Sequence, residues 1–345
     1  MVNLGVNTDK FRLILRQRLF KDNPIIPEHV DIAEKIWGKD VCGLKAKTTR
    51  RQPKTVVEDI MEIPREIYDN HPDLVLEIDV AFINKLPMLT GIDTTVKYRN
   101  FEALQCRDIT ELRRALDTFL RTYNKAGFRI KRIDCDSEFK PLFEEMEDDW
   151  DIELNFASKG EHVPHVERHN RTFKERFRMI YHSLPFKRLP RLMIRKAGEV
   201  ATNELNLLPV KGGVSKYYSP KAIMTSRSEN YKDHEIGFGT AVQADEDEDS
   251  SINRSSPKER TIDCIYFQPA ANRQDGHELM HIQTVELITR RKLTPVPTTQ
   301  PIVDAVEKLA KRQGMQKSFK IESRVDIPIV PAHWICRSGP RPPQR

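Results

Sequence analysis

The sequence predicts a mixed α/β domain followed by a small β-rich domain, and three observations support this fold class. Apolar runs of strand length begin near Leu74 and are interspersed with amphipathic helical stretches. Their predicted order is three strands, a helix, two strands and two helices, which is not the strict alternation of a doubly wound fold. After residue 236 the chain changes to short strand candidates separated by turn residues.

Residues 1–70 are predicted to be an N-terminal helical segment followed by a basic linker. The stretch PEHVDIAEKIWG places its large apolar residues at helical spacing and ends in Gly38, a typical helix stop. Residues 41–54, VCGLKAKTTRRQPK, follow with five basic residues and no acidic one. We expect this stretch to connect the helices to the next domain.

Residues 71–235 are predicted to be the α/β core. LVLEIDVAF, KLPMLTGID and TTVKYRNFEAL predict three strands, and Thr110 is expected to cap the helix TELRRALDTFLRTYNKAG, which Gly127 ends. FRIKRIDC and DIELNF predict two more strands. Two helices follow, one opening at Pro164 and one over RLMIRKAGEVATNELNLL. This order matches a ribonuclease-H-like mixed five-stranded sheet covered by helices.

Residues 236–300 are predicted to be a small β domain, and residues 301–345 a helix and a disordered tail. GFGTAVQA, RTIDCIYFQPA, HELMHIQTVELI and KLTPV are strand candidates, interrupted by the acidic, serine-rich DEDEDSSINRSS. We expect these strands to form a β-barrel-like domain. PIVDAVEKLAKRQ predicts the last helix, and SGPRPPQR has the composition of a disordered tail.

Charge is distributed unevenly along the 345 residues, although the net charge is only +6. Residues 159–196 hold eleven Lys and Arg against three Glu, whereas residues 144–153 and 245–249 are strongly acidic. Separated basic clusters favour a polyphosphate partner, because binding to phosphate is Coulombic and driven by counterion release. No run approaches the roughly 18 apolar residues of a membrane span, so we expect no membrane partner.

Three carboxylates stand at positions that the predicted fold would bring together. Asp79 lies within the first strand, Asp136 follows the fourth, and Glu167 begins the long helix. The first and fourth strands are neighbours in this plan, and oxygen ligands of this kind suit Mg²⁺. Two ions about 4 Å apart would serve an in-line phosphoryl displacement. The alternative for Glu167 is a surface carboxylate neutralised by its basic neighbours.

An ordered series of motifs resembles the integrases of copia-type retrotransposons. LEIDVAFINKLPMLTGID is similar to the family's first Asp box, IDCDSEF to its D-N-G-x-E-F box, and HVPHVERHNRTFKE to its Q-N-G-V-x-E-R-x-N-R-T-L box. YSPKAIMTSRSENYKDHEIGFGTAV resembles the segment that follows the core. The resemblance covers about residues 35 to 300, and the third box is the most specific.

The resemblance implies a metal-dependent integrase that processes DNA 3′ ends and transfers strands. It implies a two-metal site for Mg²⁺ or Mn²⁺ held by Asp79, Asp136 and Glu167, with DNA as partner, a homo-oligomeric assembly and a nuclear location. Basic residues in the linker and beside Glu167 are the expected DNA contacts: Lys45, Lys47, Arg50, Arg51, Lys54, Arg168, Arg171, Lys174 and Arg178. Two alternatives are an inactive DNA-binding relic of such an element and a nuclease without strand transfer.

The sequence departs from the family pattern at several points. IDCDSEF lacks the Asn and Gly of its box, HVPH replaces Q-Q-N-G, and 30 residues separate Asp136 from Glu167, fewer than is usual. Only His29 and Cys42 stand where the family has a His/Cys zinc element, so no zinc site is expected. No polymerase motif follows, which leaves open a standalone protein or a piece of a polyprotein.

The second ligand has two candidates. Aligned without a gap to D-N-G-x-E-F, IDCDSEF puts Asp134 in the catalytic place; aligned to a shorter D-x-E-F form, it puts Asp136 there. Both residues point to the same face of the strand. Asp136 is favoured for two reasons. It is nearer the strand end. Glu77, which shares a face of its strand with Asp79, also shows that an acidic residue can stand beside a ligand without being one, as Asp134 would.

Overall fold

The structure, a computed structural model, describes residues 6–48, 60–136, 139–144, 152–157, 164–246, 259–270, 276–318 and 320–322. The chain divides into two compact units. The core unit draws on Asp59–Ser183, Ile194–Glu229 and Met315–Arg345, and the β unit on Met1–Glu58, Leu184–Met193 and Asn230–Gly314. The predicted tail SGPRPPQR lies outside the described residues. Among the described helices, none combines the length and apolar character that crossing a membrane requires.

The core unit contains the predicted five-stranded mixed sheet, which is thereby confirmed. Its strands are β1 (Asp73–Ile83), β2 (Leu86–Asp93), β3 (Arg99–Ala103), β4 (Arg129–Asp136) and β5 (Glu153–Ala157). They lie in the order β3-β2-β1-β4-β5. The first three form an antiparallel meander, while β4 runs parallel to β1 and β5 parallel to β4.

One face of this sheet packs against helix α5 (Ile109–Ala126). Alternate side chains of a strand point to opposite faces, and the even-numbered residues of β1 form the main apolar core with α5. The buried face of the helix consists of Ile109, Leu112, Ala115, Leu116, Phe119, Leu120 and Tyr123. The predicted helix is confirmed, and its buried residues recur at the spacing of one helix face.

The two ends of α5 show what local sequence determines. The predicted cap Thr110 is wrong: Asp108 is the N-cap, and its side chain accepts a hydrogen bond from the amide of Glu111 at 2.7 Å. Aspartate serves this role as well as threonine does, and Asp108 stands two residues before Thr110. Gly127 ends the helix as predicted, at φ 88°, where a residue with a Cβ would be strained.

The opposite face of the sheet is covered by helix α7 (Pro164–Ser183). Its buried residues recur at intervals of three and four and are Val166, His169, Asn170, Phe173, Phe177 and Ile180. The core unit also contains the short helices α4 (Arg65–Asp69), α6 (Lys140–Glu144) and α9 (Pro220–Thr225).

Helix α8 (Arg191–Asn206) is tied to the edge strand β3 within the core unit. The side-chain amide of Asn206 hydrogen-bonds both the amide and the carbonyl of Arg99, at 2.9 and 2.8 Å. A Cβ at Gly198 would lie 2.4 Å from the Phe101 ring, so this helix approaches the strand only because position 198 is glycine. These contacts cover an edge that would otherwise expose backbone groups.

A short strand from the end of the described chain, β11 (Ile321–Glu322), also pairs with β1. It is antiparallel and lies opposite Phe82 and Ile83, whereas β4 pairs with β1 only as far as Glu77. Between these two pairings, residues 78–81 of β1 face no partner on that side among the described strands. Asp79 lies in this interval.

The β unit contains helices α1 (Thr8–Arg16), α2 (Pro27–Trp37), α3 (Val41–Lys47) and α10 (Gln300–Arg312). Its strands are β6 (Ala241–Asp245), β7 (Thr261–Pro269), β8 (His277–His281), β9 (Leu287–Arg290) and β10 (Leu293–Pro295). They form an antiparallel sheet in the order β10-β6-β7-β8-β9. The expected barrel-like closure is not confirmed, because β9 and β10 lie at opposite ends of the described sheet. HELMHIQTVELI forms two strands, not one.

The first part of the predicted basic linker is a helix. Asp40 caps α3 by accepting hydrogen bonds from the amides of Cys42 and Gly43, at 3.2 and 3.1 Å. The end of α3 is attached to the sheet of the β unit, since the carbonyl of Lys45 accepts a 2.8 Å hydrogen bond from the amide of Arg260. Local composition does not reveal this helix, because the contact that attaches its end is made with a residue far away in the chain.

Candidate carboxylate site

Asp79 lies in the middle of β1 on the face covered by α7, and both of its carboxylate oxygens have partners. Oδ1 accepts a hydrogen bond from the amide of Val80 at 2.8 Å. Oδ2 accepts one from the side-chain amide of Asn170 on α7 at 2.6 Å. The carboxylate is therefore oriented by at least one strand contact and one helix contact.

Asn170 is the residue that sequence reasoning missed. Its Oδ1 lies 2.9 Å from the hydroxyl of Thr90 on β2, and that hydroxyl lies 3.1 Å from the backbone carbonyl of Asp79. The amide thus joins α7 to two strands at the level of Asp79. A signal was present in the sequence, because Asn170 follows Glu167 by three residues in the E-R-x-N box and so shares its side of the helix.

Asp136 is the last residue of β4, paired with Ala157 of β5 and two residues beyond the last pair of β4 with β1. Asp134 occupies that last pair, directly opposite Glu77. Both oxygens of Asp134 are engaged by Arg132, at 2.9 and 3.3 Å, and Asn155 adds a bond of 3.1 Å. When the parallel register of β4 with β1 is extended by two residues, Asp136 comes level with Asp79.

Glu167 is exposed in the first turn of α7. The described residues contain no group of three His, Cys, Asp or Glu side chains arranged to hold a metal ion. The three predicted ligands therefore lie on the expected elements without forming a metal cluster. Their donor chemistry fits Mg²⁺ or Mn²⁺, since all three offer hard carboxylate oxygens.

Glu77 is a buried carboxylate beside this site, with only 3% of its surface exposed. Its Oε2 accepts a 2.8 Å hydrogen bond from the amide of Val166, in the first turn of α7. Burial raises the pKa of Glu77, and the Asp134 carboxylate raises it further, while the Val166 amide and His165 act in the opposite direction. Glu77 thus joins β1 to the helix that carries Glu167.

The turn after β2 supports the same end of α7. Asp93 is fully buried, and its carboxylate accepts hydrogen bonds from the amides of Thr95, Val96, Lys97 and Tyr98. This arrangement fixes Lys97 at φ 65°, with Nζ 3.4 Å from Nδ1 of His165. Burial lowers the pKa of Lys97, an effect that Asp93 and Glu77 oppose. A cationic group therefore lies beside the start of α7.

His169 is buried under α7, and neither ring nitrogen has a hydrogen-bond partner among the described residues. The ring lies 6.2 Å from that of Phe173, centroid to centroid. Burial, assisted by the positive charge of Arg99, lowers the pKa of His169 to about 3. The side chain is therefore neutral at physiological pH, and it packs beside the Phe173 ring.

The predicted DNA contacts fall into two groups. On α7, Arg168, Arg171 and Arg178 are exposed and Lys174 is half-buried; Arg171 also pairs with Glu175 at 3.3 Å, so this face is not purely basic.

In the linker, Lys45 is ion-paired with Glu259 and Asp263, at 3.1 and 2.9 Å. The Lys47 side chain and the residues Arg50, Arg51 and Lys54 lie outside the described part of the chain.

Comparison with known proteins gives a likeness to solved structures alone. No protein-family model matches the chain, and no curated protein matches it. It is similar to the catalytic core domain of BIV integrase, at 14% identity and a TM-score of 0.31, over 44% of this chain and 92% of that one. It is also similar to the HTLV-2 integrase catalytic core domain in complex with magnesium, at 19% identity and a TM-score of 0.33, over 45% of this chain and 97% of that one. At these TM-scores the likeness carries no argument of its own about site or mechanism.

Proposed function

We propose that the core unit is the catalytic core of a DNA integrase of the copia-type retrotransposon class. The observation that carries the proposal is the contact of Asn170 with Asp79, at 2.6 Å. It attaches the helix that bears Glu167 to the strand that bears Asp79. The neighbouring strand β4 ends in Asp136. Three carboxylates distant in sequence thereby stand on three adjoining elements.

Asp79, Asp136 and Glu167 would hold Mg²⁺ or Mn²⁺, which would supply charge stabilisation for phosphoryl transfer. The choice of Asp136 over Asp134 is supported by its position as the last residue of β4, two residues beyond the last pair of β4 with β1. Asn170 and the Val80 amide would keep the Asp79 carboxylate oriented. A ligand set oriented before the reaction avoids the cost of ordering it during the reaction.

Two successive displacements at phosphorus make up the proposed reaction. In the first, water attacks a phosphodiester near the element end, and the bond from phosphorus to the 3′ oxygen breaks, which frees a 3′-hydroxyl. In the second, that hydroxyl attacks a target phosphodiester and displaces the target's 3′ oxygen. Neither step needs a covalent intermediate with the protein, so no nucleophilic side chain is required.

Basic residues would place the DNA on this site. Arg171, Lys174 and Arg178 recur at three and four residues, so they share one side of α7 and would follow a phosphate backbone. Lys97, whose Nζ lies 3.4 Å from Nδ1 of His165, would add positive charge beside the start of the helix. A homo-oligomeric assembly and action in the nucleus belong to the same proposal and follow from the resemblance.

A second candidate function is DNA binding without catalysis. It is favoured by one observation, the lack of a formed metal cluster among the described residues. A nuclease without strand transfer is the third outcome to be tested.

Incubation of a labelled DNA end with plasmid and Mn²⁺ separates these functions. The proposed integrase joins the label to the plasmid, a nuclease only shortens or cuts DNA, and a binding relic retains DNA and does neither. Asp79→Asn and Glu167→Gln are expected to abolish joining while DNA binding persists. Joining at the wild-type rate by either variant would contradict the assigned site.

A further inference from the structure

The first turn of α7 is held by contacts from three different places in the core unit. The amide of Val166 donates to Glu77 on β1, and the Val166 side chain packs on Ile92 of β2. His165 contacts Lys97, which lies in the turn that the Asp93 carboxylate organises. Glu167 follows Val166 directly in the chain. Its backbone position is therefore determined by groups that are not themselves predicted ligands.

Among these contacts, that of Glu77 is the most directional. A carboxylate is expensive to bury unless hydrogen bonds and positive charge compensate it. The first turn of a helix offers both, because its amides lack intrahelical acceptors and the helix dipole is positive there. Glu77, at 3% exposure, accepts the Val166 amide, and its register on β1 lies two residues before Asp79.

The spacing of the two side-chain contacts adds a geometric constraint. Glu77 and Asp79 are two positions apart on the strand, about 6.6 Å at a rise of roughly 3.3 Å per residue. Their partners, Val166 and Asn170, are separated by four helical residues, about 6 Å at a rise of 1.5 Å. The distances match, so both contacts are made together only in one register of α7 along β1. A slip of the helix by one turn would break both.

We propose that Glu77 is a positioning residue. From strand β1 it caps the first turn of α7 and so fixes Glu167 relative to Asp79. The proposal rests on the function proposed above, because it names a residue that acts through Glu167. Glu77 itself is not assigned to metal or DNA. Its role requires only an acceptor oxygen at this place, and a glutamine side chain supplies one.

Amide hydrogen exchange of the full-length chain, followed by mass spectrometry, tests the cap directly. Glu77→Ala is expected to raise exchange at residues 165–168 on the order of tenfold, the effect of losing one hydrogen bond to a charged acceptor. Glu77→Gln keeps an acceptor and is expected to exchange like the wild type. Glu102→Ala is the control, since Glu102 is a half-buried carboxylate of the same sheet, on β3 and beside Arg114.

Joining activity gives the second measurement. Glu77→Ala is expected to lower kcat for Mn²⁺-dependent joining on the order of tenfold or more with KM for DNA unchanged, because misplacing a reacting group reduces the rate of the bound complex. Glu77→Gln is expected to restore kcat.

Equal exchange in Glu77→Ala and wild type, or a glutamine variant as impaired as the alanine variant, would overturn the proposal. So would full joining by Glu77→Ala. A wild-type chain that joins no DNA would overturn the proposed function alone, and the exchange comparison would still decide whether Glu77 caps the turn.

Discussion

The side-chain amide of Asn170 lies 2.6 Å from Asp79 Oδ2, and this contact connects helix α7 to strand β1. Asn170 is also 2.9 Å from the Thr90 hydroxyl, so one side chain serves both β1 and β2. It is buried, and its removal would take one hydrogen-bond partner from a side chain on each strand. Asn170 therefore supports the stability of the core unit as well as the orientation of Asp79.

Asn170→Ala is expected to lower the free energy of unfolding by about 1–3 kcal/mol, the usual cost of leaving buried polar groups unsatisfied. Urea denaturation followed by circular dichroism measures the change. Glu175→Gln, on the exposed side of the same helix, is the control and should stay within about 0.5 kcal/mol of the wild type. Equal losses of stability in the two variants would show that the contacts of Asn170 contribute no more to the free energy of unfolding than an exposed side chain of the same helix.

His169 should make the core unit sensitive to acid. Its pKa is about 3 in the folded chain against 6.5 for an ordinary histidine, so between these values the unfolded chain binds a proton that the folded chain does not. Stability is therefore complete above pH 6.5 and falls as the pH decreases towards 3. The expected loss from this group between pH 7 and 4.5 is about 2–3 kcal/mol.

His169→Leu should remove that part of the pH dependence. Unfolding free energies at pH 7 and 4.5 are compared between the variant and the wild type. His182→Leu removes an exposed histidine from the last turn of the same helix and serves as control. An identical acid-induced loss in His169→Leu and the wild type would show that His169 is not the responsible group.

The two candidate second ligands are expected to respond differently. Asp136→Asn should abolish Mn²⁺-dependent cleavage, because a neutral amide binds a hard cation poorly. Asp134→Asn should keep activity but lower stability, since Asp134 bonds to Arg132 and Asn155 beside the buried Glu77. Cleavage assays and melting temperatures of the two variants give the answer. An active Asp136→Asn with a dead Asp134→Asn would reverse the assignment.

Lys45 is expected to differ from the other basic residues of 41–54. Because its charge is matched by Glu259 and Asp263, Lys45→Gln should lower the stability of the β unit and leave the salt dependence of DNA binding unchanged. Joint neutralisation of Arg50, Arg51 and Lys54 should reduce the slope of log K against log salt, by about 0.9 for each phosphate that the protein no longer neutralises. A reduced slope for Lys45→Gln alone would contradict this distinction.

Periodicity in the sequence was sufficient for most of the core unit. The strands and α5 were predicted because burial of one face leaves a repeat of two or of three to four residues in the chain. Gly127 was also predicted from local sequence, because glycine commonly ends a helix. Three features were missed: the cap Asp108, the helix α3 and the division of HELMHIQTVELI into two strands. Each depends either on a choice between neighbouring residues of similar character or on a contact that is distant in the chain.

The site was predictable in its elements and less so in its contacts. Asp79, Asp136 and Glu167 fall on β1, β4 and α7 as expected, and their role as ligands stays a prediction. The contacts of Glu77 and Asn170 were not predicted, because their partners are 89 and 91 residues away. Contacts between residues so far apart leave no periodic pattern in the sequence. A buried acidic residue in a strand is unfavourable by itself, and only the helix packed over it supplies its hydrogen-bond donor.

The pairing of β11 with β1 has a consequence for biosynthesis. Ile321 lies opposite Ile83, so this part of the sheet is completed by a segment that the ribosome makes some 240 residues later. At about 5–20 residues per second, the end of β1 waits on the order of tens of seconds for its neighbour. During that time it presents unpaired backbone groups to other nascent chains, as any uncovered edge does. On that side of β1, the backbone of Phe82 and Ile83 is therefore paired only long after the other described strands of the sheet have been translated.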